Sequence, residues 1–375
     1  MNRYCIAQLG LVVALVVGSA SAYAQPTCVG TPGVNQVCIT PGGGLTQFAG
    51  ALGVSDPQQI TNDVLAQVNN IFQVADVGAF LKDFQNAQAF SSKGLGVDYA
   101  SETTLAEVGA TVSFATSANK SYNRPSGSYT DPMPLSGGGA NFSLMGGLGL
   151  GLIGLDPVMI FGNWFKGSAS IGQLDGSYDN WGLHGQLRLL GPSRKISATN
   201  LLIRWGGIAI TSGADYSRMT LNARKDLRSS FTLPAYTAGG PQGSVSIQNQ
   251  GTLTFSLQQT TWTVPLEVTT SLRLLSLVTV YGGFGLDFQL GGGSDMEINM
   301  ESGNLSGKVG ANTVSDLGTA TISVKQHTNP SAARFREIVG LQLGIFDVVR
   351  VFVQVNNTPS SPSLTSIAAG LRLGI

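Results

Sequence analysis

Residues 261–274, TWTVPLEVTTSLRL, alternate between apolar and polar side chains. The apolar face of this stretch consists of Trp262, Val264, Leu266, Val268, Leu272 and Leu274. The polar face consists of Thr261, Thr263, Glu267, Thr269, Ser271 and Arg273. Successive side chains of a β-strand point to opposite faces, so this period of two predicts a strand with one apolar and one polar face.

The same period recurs from about residue 95 to the C-terminus, in runs separated by glycine and polar turns. The strands predicted in this way are 105–117, 139–153, 158–172, 180–190, 197–211, 260–274, 278–290, 335–344, 349–357 and 364–375. Two further hairpins, 215–231 with 244–258 and 294–302 with 316–328, keep the alternation. The predicted number of strands is therefore 10 to 14, depending on whether those hairpins cross a membrane.

The composition separates two β architectures that share this period. Only 11% of the residues are charged, against roughly 25% in soluble domains, and the mean hydropathy is +0.17. A soluble β-sandwich, the alternative, needs Lys and Glu on its outer faces, whereas these polar faces are mostly Thr, Ser, Gln and Asn. The pattern favours an all-β, transmembrane, antiparallel up-and-down β-barrel with a short N-terminal helical segment. The net charge of zero, without basic runs, argues against nucleic acid as a partner.

The N-terminus predicts export from the cytoplasm. Residues 1–24 have the pattern of a signal peptide: Arg3, an apolar run over 9–17, and a small-residue cleavage site at 22–24. The chain has three cysteines, and Cys5 lies within the signal peptide. The other two, Cys28 and Cys38, are suited to a disulfide in an oxidising compartment, with free thiols as the alternative.

Between the signal peptide and the strands lies a segment of different character. Residues 25–54 are rich in Gly and Pro and are predicted to be irregular, and two helices are predicted over 57–73 and 77–90. The predicted organisation is a signal peptide over 1–24, a plug or cap over 25–93 and a barrel over 94–375. The apolar stripe of the helices must be buried, either in the barrel lumen or against its end.

On these features, residues 95–375 resemble bacterial outer-membrane β-barrel proteins as a broad class. In that class the last strand usually alternates up to a terminal aromatic residue that the assembly machinery recognises. Here Ile367, Ala369, Leu371 and Leu373 alternate, but the last residue is Ile375. The resemblance implies an outer-membrane location, with membrane lipids and the barrel-assembly machinery as partners.

The order of a helical segment followed by a barrel is also similar in layout to outer-membrane transporters of hydrophobic compounds, although their hatch motif is missing. That layout implies a partly occluded lumen. The first functional hypothesis is a passive channel or transporter for small polar solutes or apolar compounds. The alternative is a structural or adhesive surface protein whose loops bind partners.

The few charged residues on polar strand faces are the candidate site. One group is acidic and comprises Asp295, Glu297 and Glu301; a second is basic and comprises Arg218, Arg224 and Arg228; a third comprises His184, Arg188, Arg204 and Arg273. Facing each other across a lumen, such groups would orient and filter solutes. Mutual pairing along the wall is the alternative interpretation.

Enzymatic chemistry is not expected. The GxGxxG match at 149–154 runs into a turn and another strand instead of the helix that a dinucleotide site requires. Gly182 and His184 resemble part of the Gly-x-His-x-Ser arrangement of outer-membrane phospholipases, but Gln186 stands where the serine nucleophile belongs. The sequence predicts no catalytic residue, metal site or cofactor.

Overall fold

The computed structural model describes residues 25–32, 34–72, 77–100, 105–118, 136–191, 203–232, 245–275, 277–309, 312–345, 348–359 and 363–374. The predicted signal peptide and the terminal Ile375 lie outside these ranges. No helix within them is long and apolar enough to cross a membrane.

Helices precede the long strands in the chain. They are α1 (Leu45–Ala51), α2 (Pro57–Phe72) and α3 (Val77–Ser91). The strands are β1 (Thr27–Thr31), β2 (Asn35–Pro41), β3 (Ala106–Ala118), β4 (Ser136–Gly149), β5 (Val158–Ile171), β6 (Leu174–Leu190), β7 (Ile203–Thr232), β8 (Val245–Leu274), β9 (Val278–Val309), β10 (Asn312–Thr328), β11 (Ala333–Ile345), β12 (Val349–Asn357) and β13 (Ser363–Gly374).

Within the described residues, ten strands close into a ring. Their order is β9-β11-β12-β13-β3-β4-β5-β6-β7-β8, and β8 pairs back with β9. The registers from β9 through β11 and on to β7 are antiparallel. Each of the ten predicted strands overlaps one strand of this ring, which confirms the antiparallel up-and-down barrel.

The two further hairpins are not additional strands of the ring. Segments 215–231 and 244–258 belong to β7 and β8, which are 30 residues each. Segment 294–302 belongs to β9, which has 32 residues, and 316–328 belongs to β10, which pairs with β9 beside the ring. In β7 and β8 the alternation of buried and exposed side chains continues through the predicted boundaries. In β9 it shifts by one residue near Gly292, between the buried Asp287 and the buried Ser294, but the backbone still continues as one strand. A membrane crossing needs only about 9–11 residues of such a strand.

The faces of the strands are inverted relative to a soluble protein. In β8 the polar Thr263 and Glu267 are buried, whereas Trp262, Leu266 and Val268 are 39–47% exposed. The same holds around the ring, where every strand has exposed Leu, Val, Ile, Phe or Trp side chains. A continuous apolar exterior with a polar interior is the surface pattern of a barrel in a lipid bilayer.

The chain forms two compact units. The larger comprises Phe72–Lys225, Leu253–Asn299 and Ser323–Ile375, and the smaller comprises Met1–Ile71, Asp226–Thr252 and Met300–Ile322. Strands β7 to β10 contribute residues to both.

In the smaller unit, β1, β2 and α1 form within residues 25–54, where the sequence predicts irregular structure. Hairpin β1–β2 pairs with β10 through β2, and Cys28 and Cys38 face each other in the hairpin and form a disulfide. The turn after β2 is bonded as well, since the Gly43 amide donates to Asp316 Oδ2 at 3.1 Å. The edge of β10 supplies the backbone hydrogen-bond partners that make this segment a hairpin. A Gly- and Pro-rich sequence does not indicate such partners, so the segment is predicted to be irregular.

Candidate functional site: an occupied lumen and a polar cavity

Residues 77–100, the plug, occupy the interior of the ring. Every side chain from residue 85 to residue 100 is buried, and α3 packs against β3, β4 and β13. Two wall glycines permit this approach: a Cβ on Gly137 would lie 2.2 Å from the backbone of Asp83, and one on Gly139 would lie 2.6 Å from Gln88 Cα. Gln88 also exchanges two hydrogen bonds with the backbone of Ala140, at 3.2 and 3.3 Å.

The plug runs along the lumen from one end of the ring strands to the other. At its start, Leu81 packs with Leu257 and Met296, which lie far from the short turn that joins β8 to β9. At its end, Tyr99 packs with Met159, which lies next to the short turn at 154–157. A helix and nine further residues therefore fill the barrel lengthwise.

Three groups of buried charged residues contact the plug, and the first centres on Arg336 of β11. Its guanidinium donates to Glu267, to Asp287 Oδ2 at 3.0 Å and to Asn356 Oδ1 at 3.0 Å. The Tyr99 hydroxyl of the plug donates to the other oxygen of Glu267 at 2.6 Å. Arg336 is fully buried, so each of these contacts is made without competing water.

The second group centres on Asp98 of the plug. Arg372 Nη1 lies 2.9 Å from Asp98 Oδ1, and Arg350 Nη1 lies 3.5 Å from Asp98 Oδ2. Arg350 also reaches Glu107 at 3.4 Å. Arg372 donates to the carbonyl of Val97 at 2.6 Å. Two wall arginines thus clamp one plug carboxylate.

The third group has the opposite polarity, because here the plug supplies the cation. Lys93 Nζ lies 3.6 Å from Asp215 Oδ2, and His184 Nε2 lies 3.0 Å from Asp215 Oδ1. Burying a charge without a partner costs several kcal/mol or more. The alternating signs of Lys93, Asp98 and their wall partners therefore favour one position of the plug.

The residues predicted as a lumen filter are not brought together. Of that set, His184 is buried in the third group, while Arg188, Arg204 and Arg273 are half-buried and each has an interaction partner. The others of the set with a described side chain, Arg218, Arg224, Arg228, Asp295 and Glu297, are exposed or nearly so. The side chain of Glu301 lies outside the described part of the chain.

The acidic members pair along the wall, as in the alternative interpretation. Asp295 Oδ1 lies 2.7 Å from His327 Nδ1, and Glu297 Oε1 lies 2.8 Å from Lys325 Nζ. Both pairs lie beyond Leu290, the last large exposed apolar residue of β9. The Asp295 hydrogen bond raises the pKa of His327, and the Lys325 hydrogen bond lowers the pKa of Glu297.

Sequence reasoning missed most residues of these three groups. They are Lys93, Asp98, Tyr99, Glu107, Asp215, Asp287, Arg336, Arg350 and Arg372, together with Glu267, which the alternation places only on a polar strand face. A signal existed: Arg336, Arg350 and Arg372 occupy inward positions of three consecutive ring strands. The partner of each arginine could not be predicted, because it depends on the path of the plug through the ring.

A cavity of about 720 Å³ lies within the smaller unit. Residues of β7 to β10 line it, among them Arg228, Gln248, Gln250, Asn304 and Asp316. Its wall also includes Asn249, whose Oδ1 is buried and has no hydrogen-bond partner among the described residues. This size is typical of ligand sites, but the lining is more polar than usual. Among the described residues, no cluster of His, Cys, Asp or Glu could hold a metal ion.

Comparison with known proteins gives a family and weak structural likenesses. A family model described as Lsa36-like matches residues 55–375. No curated protein matches the chain significantly. The translocator domain of the autotransporter NalP from Neisseria meningitidis is 11% identical, with a TM-score of 0.32, over 80% of this chain and 99% of that one. The Ralstonia pickettii toluene transporter TbuX is 8% identical, with a TM-score of 0.27, over 79% of this chain and 99% of that one. Ail, the attachment invasion locus protein of Yersinia pestis, is 9% identical, with a TM-score of 0.23, over 72% of this chain and 97% of that one.

Proposed function

This chain belongs to the Lsa36-like family, and we propose that it is a closed outer-membrane barrel that anchors a surface binding unit. The observation that carries the proposal is the plug, whose buried Lys93 and Asp98 are paired with wall residues of opposite charge. An open passive pore needs a continuous water path, and the plug occupies the place of that path.

The size of the ring supports this function. Barrels of about eight strands have interiors that side chains alone nearly fill. A ring of ten strands is slightly wider, and a helix with its following coil uses the additional space. The occupied lumen therefore adds stability, and transport of solutes is not its main use.

Most of the cavity lining comes from the C-terminal part of β7, the N-terminal part of β8 and the C-terminal part of β9, which are the strand ends opposite to the short turns along the chain. In outer-membrane barrels the short turns face the periplasm and the long loops face outward. On this orientation the strand ends that supply the cavity lining are the outward ones. The amides and hydroxyls of the lining suit a polar partner, because an apolar one would leave them unpaired.

Planar-bilayer recording of the purified full-length protein tests the closed barrel. We expect no steady ohmic steps from the wild type. The double variant Lys93→Met, Asp98→Asn removes the two plug charges that pair with Asp215 and Arg372, and we expect it to show irregular openings as the plug loosens. Steady, wide steps from the wild type would contradict the proposal and support the passive channel.

One observation favours gated transport as a second candidate. Gln85 and Asn86 of the plug are buried, yet their side-chain amides have no hydrogen-bond partner among the described residues. Thr111 and Ser113 of β3 are in the same condition. Buried polar groups of this kind are usually hydrated. Liposome swelling in small sugars distinguishes the candidates, because only a displaceable plug lets solutes pass.

A further inference from the structure

Four aromatic side chains form a row across neighbouring strands on the outer surface of the larger unit. Trp164 of β5 pairs in register with Trp181 of β6, and Trp181 pairs with Tyr216 of β7. Trp262 of β8 completes the row, with its ring 4.9 Å from that of Tyr216 and 5.2 Å from that of Trp181. The three tryptophans are 38–55% exposed. Tryptophan and tyrosine in such positions mark the level of the lipid headgroups.

A second row lies two residues further along the same strands, in the direction away from the short turn at 154–157. It consists of Lys166, Asp179 and Arg218, which are again in register. Two residues correspond to roughly 7 Å along a strand. The headgroup layer is about 5–7 Å thick on each side of the bilayer, so an aromatic row at its inner edge places the second row at its outer edge. Lys166 and Arg218 are exposed, and Asp179 is half-buried between them.

The three charged residues are not engaged with one another. No ion pair joins Asp179 to either cation among the described residues, although the register makes them cross-strand neighbours. The row carries two positive charges and one negative charge. It therefore attracts an anion while leaving one carboxylate that needs a hydrogen-bond donor.

We propose that Lys166, Asp179 and Arg218 bind the phosphorylated, hydroxyl-bearing headgroup of a membrane lipid, whose acyl chains lie on the aromatic row. Lys166 and Arg218 contact the phosphate from either side, since charge-assisted hydrogen bonds to phosphate are strong. Asp179 accepts hydrogen bonds from the headgroup hydroxyls. A choline headgroup has no hydroxyl to donate, so the site discriminates against it.

The site differs from the binding unit of the proposed function. It lies on the outer wall of the barrel and not in the cavity. The lipid-binding proposal is therefore independent of whether the barrel conducts solutes. Basic side chains next to an aromatic belt place anionic lipids around a membrane protein. Here the lipid would occupy the wall of β5 to β8, where all four tryptophans of the chain are found, three of them in the aromatic row.

Tryptophan quenching by brominated lipid tests the proposal. The full-length protein is placed in phosphatidylcholine nanodiscs with one-fifth of the lipid replaced by brominated phosphatidylglycerol or by brominated phosphatidylcholine. We expect about twofold greater quenching by phosphatidylglycerol in the wild type, because the anionic lipid is enriched at the site. Lys166→Gln with Arg218→Gln should abolish the difference, and Asp179→Asn should reduce it.

Lys308→Gln is the matched control, because Lys308 is an exposed cation of β9 in the smaller unit. This variant should keep the full difference. Migration of the unboiled protein on a gel verifies that each variant folds. Equal quenching by both brominated lipids in the wild type would overturn the proposal. Loss of the difference in millimolar inorganic phosphate at constant ionic strength would also overturn it, since the site would then bind a free anion.

Discussion

Asp98 and Arg372 form an ion pair of 2.9 Å inside the barrel, and their side chains are 2% and 0% exposed. Asp98 belongs to the plug and Arg372 to β13, the last strand of the chain. The pair therefore joins the segment that precedes the barrel to the strand that completes it. Closure of the ring and placement of the plug are coupled through this contact.

Replacing Asp98 with Asn should destabilise the larger unit by about 3–5 kcal/mol, because it leaves the buried Arg372 without its carboxylate. Urea unfolding in detergent, followed by tryptophan fluorescence, measures the change. Asp295→Asn is the matched control, since the exposed pair with His327 is worth about 0–1 kcal/mol. Equal stabilities for the two variants would show that the plug charge does not support the barrel.

Gly139→Ala should cost roughly 1–3 kcal/mol through overpacking. The new methyl would lie 2.6 Å from Gln88 Cα and 2.7 Å from the backbone of Ala87, so α3 must move away from β4. Gly138→Ala is the control, because a Cβ there meets nothing within 4 Å. Thermal unfolding of the two variants makes the comparison, and a neutral Gly139→Ala would mean that α3 does not lie against this wall.

His327 should titrate above its ordinary value of 6.5, since hydrogen bonds from its ring to Asp295 and Asn329 raise its pKa. A group whose pKa is higher in the folded than in the unfolded protein stabilises the folded state at pH values below its unfolded pKa. This contribution to the free energy of unfolding is lost as the pH rises through the folded pKa. Because the pair is exposed, the effect on stability is small and the titration itself is the readout. Asp295→Asn should move the pKa of His327 down, as followed by NMR of the ring protons.

Replacing both Cys28 and Cys38 with Ser should destabilise the hairpin β1–β2 by about 2–4 kcal/mol, because the disulfide restricts the unfolded chain. The residues involved belong to the smaller unit, so the barrel should keep its resistance to heat in gels. Limited proteolysis should cut the variant sooner within residues 25–54. Equal protease resistance in the wild type with and without reductant would contradict this.

The alternation of residues 261–274 predicts more than a strand. It assigns Thr263 and Glu267 to one face and Trp262 and Leu266 to the other, and the structure buries the first pair and exposes the second. Side-chain direction in a strand follows position alone, so faces can be predicted locally. The lengths of β7 and β8 could not, because continuation of one strand and a new membrane crossing have the same period.

The candidate site shows the same division. The alternation places His184 on a polar strand face, but its partner Asp215 and the Lys93 that shares this partner lie 31 residues after and 91 residues before it. Asp295 and Glu297 were expected in the lumen, and their exposed pairing with His327 and Lys325 depends on how β9 meets β10. Charge sign and face are local properties, whereas pairing depends on register.

By itself, the sequence determined the class of the protein, because low charge, period-two alternation and a Thr- and Ser-rich polar face are required wherever strands separate lipid from confined water. Only the tertiary structure decided that ten strands close the ring, that residues 77–100 fill it, and that Asp98 meets Arg372. Those features depend on contacts between residues distant in the sequence, such as Asp98 and Arg372, which are 274 positions apart. No local pattern of side chains specifies such contacts, since they form only when the first and last strands meet around the plug.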